Sequence, residues 1–154
     1  MNGRPLHASL SFRLMVLGTH LAGDFAEHLR AAELTPKHLA VLTMVDQGLA
    51  RTQDDVARLM RVSTSLVARL ADHLQQHELL DRRRDPDNRR KHILSVTERG
   101  KAALDRAAAY AASLDAELAP RLGAGLGDRL DDALARLMTG LAEGGHRPDA
   151  GRGA

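Results

Sequence analysis

The chain has 154 residues, a formal net charge of +2 and no cysteine. This length suits one domain around one core. The lack of cysteine excludes disulfides, thiolate metal sites and thiol-based redox switches. Because neither a long apolar run nor a signal-peptide pattern is found, we expect a cytoplasmic protein. With two Phe, one Tyr and no Trp, the core should consist of Leu, Val, Ala and Met in packed helices.

Two helices are predicted at the start of the chain. A helix over residues 8–32 is indicated by apolar residues spaced by threes and fours, namely Leu10, Leu14, Leu17, Leu21, Phe25 and Leu29. The segment LTPKHLAVLTMVDQG then predicts a second helix. Thr35 is its expected N-cap, Pro36 suits its first turn and Gly48 suits its C-terminal cap.

The next two helices have the spacing of a helix-turn-helix. Thr52 is the expected N-cap of the first, with Asp55 at the capping-box position. The segment RVSTS interrupts it, and Ser63 is the expected N-cap of a longer helix over residues 64–77. The inner side of that helix is formed by Val67, Leu70 and Leu74. A short helix, a brief turn and a second helix in this order are typical of DNA-binding proteins.

A β-hairpin is predicted after the helix-turn-helix. Residues 79–84 are short and extended, residues 92–96 alternate with period two, and DPDN supplies turn residues between them. So short a hairpin is not stable alone. We therefore expect it to pack on the helix-turn-helix as the wing of a winged-helix domain.

Two more helices are expected to follow the hairpin. Thr97 is the predicted N-cap of a helix of about twenty residues that reaches Leu118 and is ended by Pro120. A glycine-containing break precedes a last helix, whose apolar stripe is Leu126, Leu130, Leu134, Leu137 and Leu141. Residues 145–154 are rich in Gly and charge, which predicts a disordered tail. The predicted fold class is mainly α with a small β-hairpin wing.

The charge is concentrated in the middle of the chain. Residues 51–101 hold twelve Lys and Arg against eight Asp and Glu, a net +4, whereas the remainder holds ten against twelve, a net −2. The segment RRRDPDNRRK, residues 82–91, alone contains six basic residues. A basic middle on a near-neutral scaffold indicates a face that binds a polyanion.

Three segments, LTPKHLAVLTMV, TQDDVARLMRVSTSLVARLADHLQQHELLDRR and DPDNRRKHILSVTERG, occur in this order. Through them the sequence, over about residues 8–142, resembles the MarR family of bacterial transcription regulators. The resemblance implies a homodimer in which residues 8–32 and 98–142 are dimerisation helices and residues 35–97 form the winged helix-turn-helix. These parts would make a single domain of residues 1–144. The implied function is that of a repressor, which binds pseudo-palindromic double-stranded DNA and is released by a small ligand, for example an aromatic or phenolic acid.

The expected DNA contacts lie at the start of the second helix of the helix-turn-helix and in the hairpin. They are Ser63, Thr64, Ser65, Arg69, Arg82, Arg84, Arg89, Arg90 and Lys91. Hydroxyl groups can reach phosphates or base edges, and Arg69 can make a bidentate contact with guanine. Arg89 and Arg90, at the hairpin tip, are expected in the minor groove, which is about 6 Å wide and electronegative. Nearer the hairpin base, Arg82, Arg83, Arg84 and Lys91 are expected to face phosphates. The alternative is an ordinary amphipathic helix beside a solvated basic turn.

Two positions depart from the family pattern. Arg61 stands where the family usually has glycine in the helix-turn-helix. If this position requires a positive φ, arginine costs about 1 kcal/mol there. The alternatives are that the turn differs slightly or that Arg61 reaches a phosphate. Asn88 stands where an aspartate two residues before the wing arginine is usual, and Asp87 or Asp85 is the alternative carboxylate. The relative roles of Arg89 and Arg90 therefore stay open.

Other sites are less strongly indicated. The family's ligand site implies candidates by position, which are Met15, Thr19, His38, Leu42 and Tyr110; the alternative is that these are core residues only. His73 and His77 have the i, i+4 spacing of a metal-binding pair, with acidic residues nearby. Because no HExxH motif or second cluster supports a metal site, we favour surface histidines and expect no metal and no cofactor.

Enzymatic function is not expected. The sequence has no Gly-rich phosphate loop, GxSxG, HExxH or paired-carboxylate pattern. The remaining alternative to a DNA-binding regulator is a winged-helix module that binds another protein. The salt dependence of binding separates the two, because neutralising phosphates makes affinity fall steeply with salt.

Overall fold

The computed structural model describes residues 5–86 and 92–143. Its elements, in chain order, are α1 (Leu10–Leu29), α2 (Pro36–Asp46), α3 (Gln53–Met60), α4 (Thr64–Gln76), β1 (Leu80–Arg84), β2 (His92–Val96), α5 (Glu98–Leu122) and α6 (Leu126–Glu143). Short 3-10 turns, Leu6–Ala8 and Arg30–Ala32, flank α1. The predicted fold class is confirmed: the chain is mainly helical with one antiparallel hairpin. Within the described ranges, no helix is long and apolar enough to cross a membrane.

Side chains at the helix starts explain where the helices begin. Thr35 and His38 form a reciprocal capping box at α2, and Thr52 and Asp55 form another at α3. In the second box, the Asp55 backbone N–H donates to Thr52 Oγ1 over 3.2 Å, and the Thr52 N–H donates to Asp55 Oδ2 over 3.0 Å. The side chains that cap α4 and α5 are those of Ser63 and Thr97. All four predicted N-caps are confirmed, and each satisfies backbone donors that the helix leaves free.

The turn of the helix-turn-helix requires a left-handed residue. Arg61 ends α3 with φ 54° and ψ 46°. This backbone region is disfavoured for residues with a Cβ atom, at a cost of about 1 kcal/mol. Of the alternatives left open by the sequence, the structure shows the one in which Arg61 adopts a positive φ.

The core lies where α2, α3 and α4 meet the hairpin. Its fully buried large side chains are Val41, Leu42, Val56, Val67, Leu74 and Leu80. In the hairpin Leu80 pairs with Val96 and Arg84 with His92. The segment before α3 joins its edge, because the Leu94 N–H donates to the Arg51 carbonyl over 2.8 Å. These contacts fix the hairpin against α3 and α4, as expected for a wing.

The beginning of α5 is locked to the end of α4. Thr97 Oγ1 donates to the Glu78 carbonyl over 2.7 Å, and the Thr97 N–H donates to the Leu79 carbonyl over 3.2 Å. A Cβ atom added to Gly100 would lie 2.1 Å from the Leu79 carbonyl oxygen. Only glycine permits this close approach, so α5 leaves the winged domain in a fixed direction.

Two predicted boundaries need correction. The first helix is shorter than residues 8–32, because α1 ends at Leu29 and a 3-10 turn continues to Ala32. Pro120 does not end the helix that contains it. Instead α5 continues to Leu122 and is followed by Gly123 with φ 80°. Proline removes one donor, and residues 116–120 are exposed, so water can satisfy the carbonyl that loses its partner. The predicted tail, residues 145–154, lies outside the described residues.

The terminal helices present apolar faces that one chain does not cover. Exposure of the apolar stripe varies along α1, since Leu29 is buried whereas Leu10 and Leu17 are 66% and 59% exposed. On α6 the exposed apolar residues are Leu126, Leu130, Leu134, Leu137 and Met138. Surface of this kind marks an interaction site in a soluble protein.

Candidate nucleic-acid interface

The start of α4 presents a polar surface backed by the core. Val67 and Leu70 are buried, whereas Thr64, Ser65 and Arg69 are exposed. Ser63 Oγ accepts the Leu66 N–H over 3.3 Å and lies 3.0 Å from Ser65 Oγ. Ser63 therefore acts first as the helix cap, while the exposed side chains beyond it are available to a ligand. The N-terminal end of the helix also favours negative charge.

Four exposed arginines lie in the turn before α4, on α4 and in β1. Within the part of the chain that the structure describes, the side chains of Arg61, Arg69, Arg83 and Arg84 make no hydrogen bond or ion pair. Such guanidinium groups can bind phosphates without first breaking an internal contact. Arg83 is one of the three arginines of β1 that were expected to face phosphates. Its exposure follows from strand alternation, which places it on the face opposite Leu80.

Arg82 differs from its neighbours. Its guanidinium Nη2 lies 2.5 Å from Asp72 Oδ1 on α4, and its side chain is only 18% exposed. Its Nε is buried and has no partner among the described residues. The structure therefore places Arg82, predicted to contact phosphate, between the hairpin and α4. Period-two alternation from Leu80 is the sequence signal that would have indicated this inward orientation.

The tip of the hairpin was expected to carry Arg89, Arg90 and Lys91, with Asn88 in the turn. All four lie outside the described residues. Their roles stay predictions. The described base of the hairpin ends at the Arg84–His92 pair.

The five predicted ligand residues occupy different environments. Met15 and Thr19 are exposed on α1, and Thr19 Oγ1 donates to the Met15 carbonyl over 2.9 Å. His38 and Leu42 are buried in the core. Tyr110, on α5, is half-buried. Two open hollows of about 360 and 480 Å³ lie along α5 and α6, and none of the five residues lines them.

Tyr110 connects α5 to α1 through an aromatic cluster. Its ring stacks on His28 with centroids 3.8 Å apart and meets the edge of Phe25 at 5.2 Å. Its hydroxyl donates to the Asp24 carbonyl over 3.3 Å. Tyr110 therefore joins the long terminal helices close to the winged domain.

His73 and His77, which were considered as a metal pair, form a row of rings with His38. The rings of His38 and His73 have centroids 4.4 Å apart, and those of His73 and His77 are 4.3 Å apart. Across residues 5–86 and 92–143, no group of three or more His, Asp or Glu side chains is arranged to hold a metal ion.

The winged helix-turn-helix with long terminal helices is matched by known proteins. The sequence model of the MarR family matches residues 34–92, which extend from before α2 to the first residue of β2. Over these residues the chain is similar to the MarR family. It is 27% identical over 123 residues to the uncharacterized HTH-type transcriptional regulator YhbI of Bacillus subtilis, covering 75% of each chain.

Solved structures of MarR proteins share the whole fold. A crystal structure of MarR has a TM-score of 0.78 at 22% identity, with 93% of this chain and 95% of that chain covered. CouR from Rhodococcus jostii RHA1, bound to p-coumaroyl-CoA, has a TM-score of 0.67 at 24% identity, with 91% and 96% covered. The resemblance to the MarR family inferred from the three sequence segments is therefore confirmed.

Proposed function

We propose that this protein is a MarR-family transcription regulator, which binds double-stranded DNA as a homodimer and acts as a repressor that a small ligand releases. The observation that carries the DNA-binding part is the start of α4, where Thr64, Ser65 and Arg69 are exposed among arginines without internal partners. A helix supported by a core on one side and polar on the other suits the major groove, which is about 12 Å wide.

The basic residues divide into two expected roles. Arg69 lies on the exposed face of α4, from which a guanidinium can reach a guanine edge. Arg61, Arg83 and Arg84 flank the helix and are better placed for phosphates, which position the protein on the duplex. The predicted minor-groove contacts of Arg89 and Arg90 would extend this surface beyond the hairpin base.

Dimerisation follows from the exposed apolar faces. The first half of α1 and most of α6 expose leucine stripes that no other described element covers. Joining two copies through these faces would bury roughly 2,000 Å² or more, which is the range of obligate dimers. Two copies of α4 would then lie about 34 Å apart, one turn of DNA. The preferred operator is therefore a pseudo-palindrome.

The effector is expected to bind between the terminal helices and the winged domain. CouR, whose fold this chain shares, binds p-coumaroyl-CoA. In this chain the Tyr110 cluster joins α1 to α5 near the winged domain, and dimerisation would cover the exposed Met15 and Thr19. We place an aromatic or phenolic effector in this region, close to His38 and Leu42. Its binding would alter the separation of the two α4 helices.

A salt titration tests DNA binding against the protein-binding alternative. Fluorescence anisotropy would measure binding to the DNA upstream of the regulator's own gene between 50 and 300 mM salt. With at least six phosphate contacts, affinity should fall on the order of a thousandfold between 50 and 200 mM salt. A winged-helix module that only binds protein would show no preference for this DNA over random DNA of equal length.

A further inference from the structure

Three histidine rings form a continuous row across the boundary between α2 and α4. His38 belongs to the first turn of α2, His73 lies on α4, and His77, one turn later, is the C-cap residue of α4. The two ring pairs are 4.4 and 4.3 Å apart, with interplanar angles of 16° and 32°. We call His38, His73 and His77 the histidine ladder. It joins the helix that reads DNA in our proposal to the helix that follows the dimerisation segment.

Hydrogen bonds at two of the rings define which nitrogen atoms carry protons. The Thr35 N–H donates to His38 Nδ1 over 3.0 Å, so this nitrogen is unprotonated. His73 Nε2 lies 2.8 Å from the Glu33 carbonyl oxygen, which can only accept. His73 Nε2 therefore donates. Because the capping box of α2 uses His38 as an acceptor, it requires the neutral form of that ring.

The surroundings of the ladder disfavour a charge on His38. Burial, followed by the nearby His73 and His77, lowers the pKa of His38 from 6.5 to about 4. Glu33 is the acidic group that faces the ladder, and its carboxylate Oε2 lies 3.5 Å from His77 Nε2. Within residues 5–86 and 92–143, no charged side chain of α1, α5 or β2 makes a hydrogen bond or ion pair with the three rings.

We propose that the histidine ladder is a proton-responsive link that holds α4 against the start of α2, and that acidification loosens it and weakens DNA binding. A protonated His38 cannot accept the Thr35 N–H, and charges on neighbouring rings of the stack repel each other. The Glu33 carboxylate can balance positive charge on the His77 ring. Positive charge on His38 instead breaks the hydrogen bond from the Thr35 N–H and so disrupts the contact between α2 and α4. The effect on DNA binding rests on the proposed function, whereas the pH-sensitive contact between α2 and α4 does not.

The direction of the pH effect follows from the protonation of His38. Between pH 6.5 and about 4 the unfolded chain binds a proton at this residue and the folded chain does not. Stability should therefore fall as pH decreases through this window and be unaffected by His38 above it. DNA affinity falls in the same window if the α4 contact must be intact for binding.

A matched pair of variants isolates the ladder. His38→Gln keeps an acceptor at the capping-box position and removes the titrating group. His7→Gln makes the same chemical change at an exposed residue before α1. Thermal unfolding from pH 7.5 to 4.5 and operator affinity at pH 7.5 and 5.5, at constant ionic strength, would be measured for both variants and the wild type.

The inference predicts that wild type and His38→Gln diverge only in acid. Below pH 6.5 the Tm and the operator affinity of wild type and His7→Gln should both fall, and the affinity should fall by at most tenfold per pH unit for one proton. His38→Gln should lose less of both. Equal pH dependence in all three proteins would overturn it. If His38→Gln does not fold, His38→Asn, which also keeps an acceptor and removes the titrating ring, takes its place. Absence of DNA binding at every pH would refute the proposed function, and the Tm profiles alone would then decide whether the ladder responds to protons.

Discussion

Arg82 of β1 donates to Asp72 of α4 over 2.5 Å, so one ion pair connects the base of the hairpin to the helix proposed to enter the major groove. Arg82 is largely shielded from solvent, whereas the adjacent Arg83 and Arg84 are exposed. Neighbouring arginines in one strand therefore have different functions. Arg82 sets the position of the hairpin, and the other two present charge to the surface.

The Arg82→Ala variant separates these functions. We expect it to destabilise the fold by about 1 kcal/mol, through loss of a charge-assisted hydrogen bond and of side-chain packing. It should weaken DNA binding without changing the salt slope, because Arg82 faces Asp72 rather than phosphate. Arg84→Ala is the control, and should reduce the slope of log affinity against log salt by about 1. A similar reduction for Arg82→Ala would identify Arg82 as a phosphate contact.

Arg69→Ala tests the base-reading role of α4. Loss of a bidentate contact should cost about 1–3 kcal/mol on the specific site and relax the preference at one base pair. Binding to random DNA should change much less. Competition titrations with single-base variants of the operator measure both effects. Equal losses on specific and random DNA would assign Arg69 to the phosphate backbone.

Arg61 combines a left-handed backbone with an exposed cation. Arg61→Gly should raise the free energy of unfolding by up to about 1 kcal/mol, since glycine adopts φ 54° without steric strain. The same change should lower DNA affinity if the guanidinium binds phosphate. Arg61→Ala keeps the strain and removes the charge, so it should lower affinity without the gain in stability. Urea denaturation and anisotropy titration check the two quantities, and a glycine variant no more stable than the alanine variant would contradict the backbone argument.

Gly100→Ala should disrupt the junction between the winged domain and α5. The new methyl group would lie 2.1 Å from the Leu79 carbonyl oxygen, and overpacking of this kind costs about 1–3 kcal/mol or more. Gly23→Ala, in α1, is the control, because nothing lies within 4 Å of its added Cβ atom. Circular dichroism melts should show a lower Tm for Gly100→Ala only. Equal Tm values for the two variants would show that the junction adjusts at little cost.

Local rules made much of the fold predictable. The caps at Thr35, Thr52, Ser63 and Thr97 depend on residues three positions apart, and the hairpin depends on alternation around turn residues. Pro120 was misjudged because the cost of a proline depends on whether water reaches the carbonyl that loses its partner, and a single sequence does not state this.

The site was less predictable, because its contacts join distant residues. The exposed Thr64, Ser65 and Arg69 followed from the buried side of one helix. The Arg82–Asp72 pair and the stack of His38 on His73 require the packed arrangement of separate elements. The sequence placed His38 on α2 and His73 on α4 but contained nothing to show that their rings meet.

The central claim is that two copies of α4, joined through α1 and α6, read DNA together. Hydroxyl-radical footprinting of the DNA upstream of the regulator's gene tests it most directly. The account predicts two symmetric protected regions with centres about 10 base pairs apart, lost together in a variant such as Leu130→Glu that prevents dimerisation. Protection of a single unsymmetrical region, or the same footprint from a monomeric variant, would contradict it.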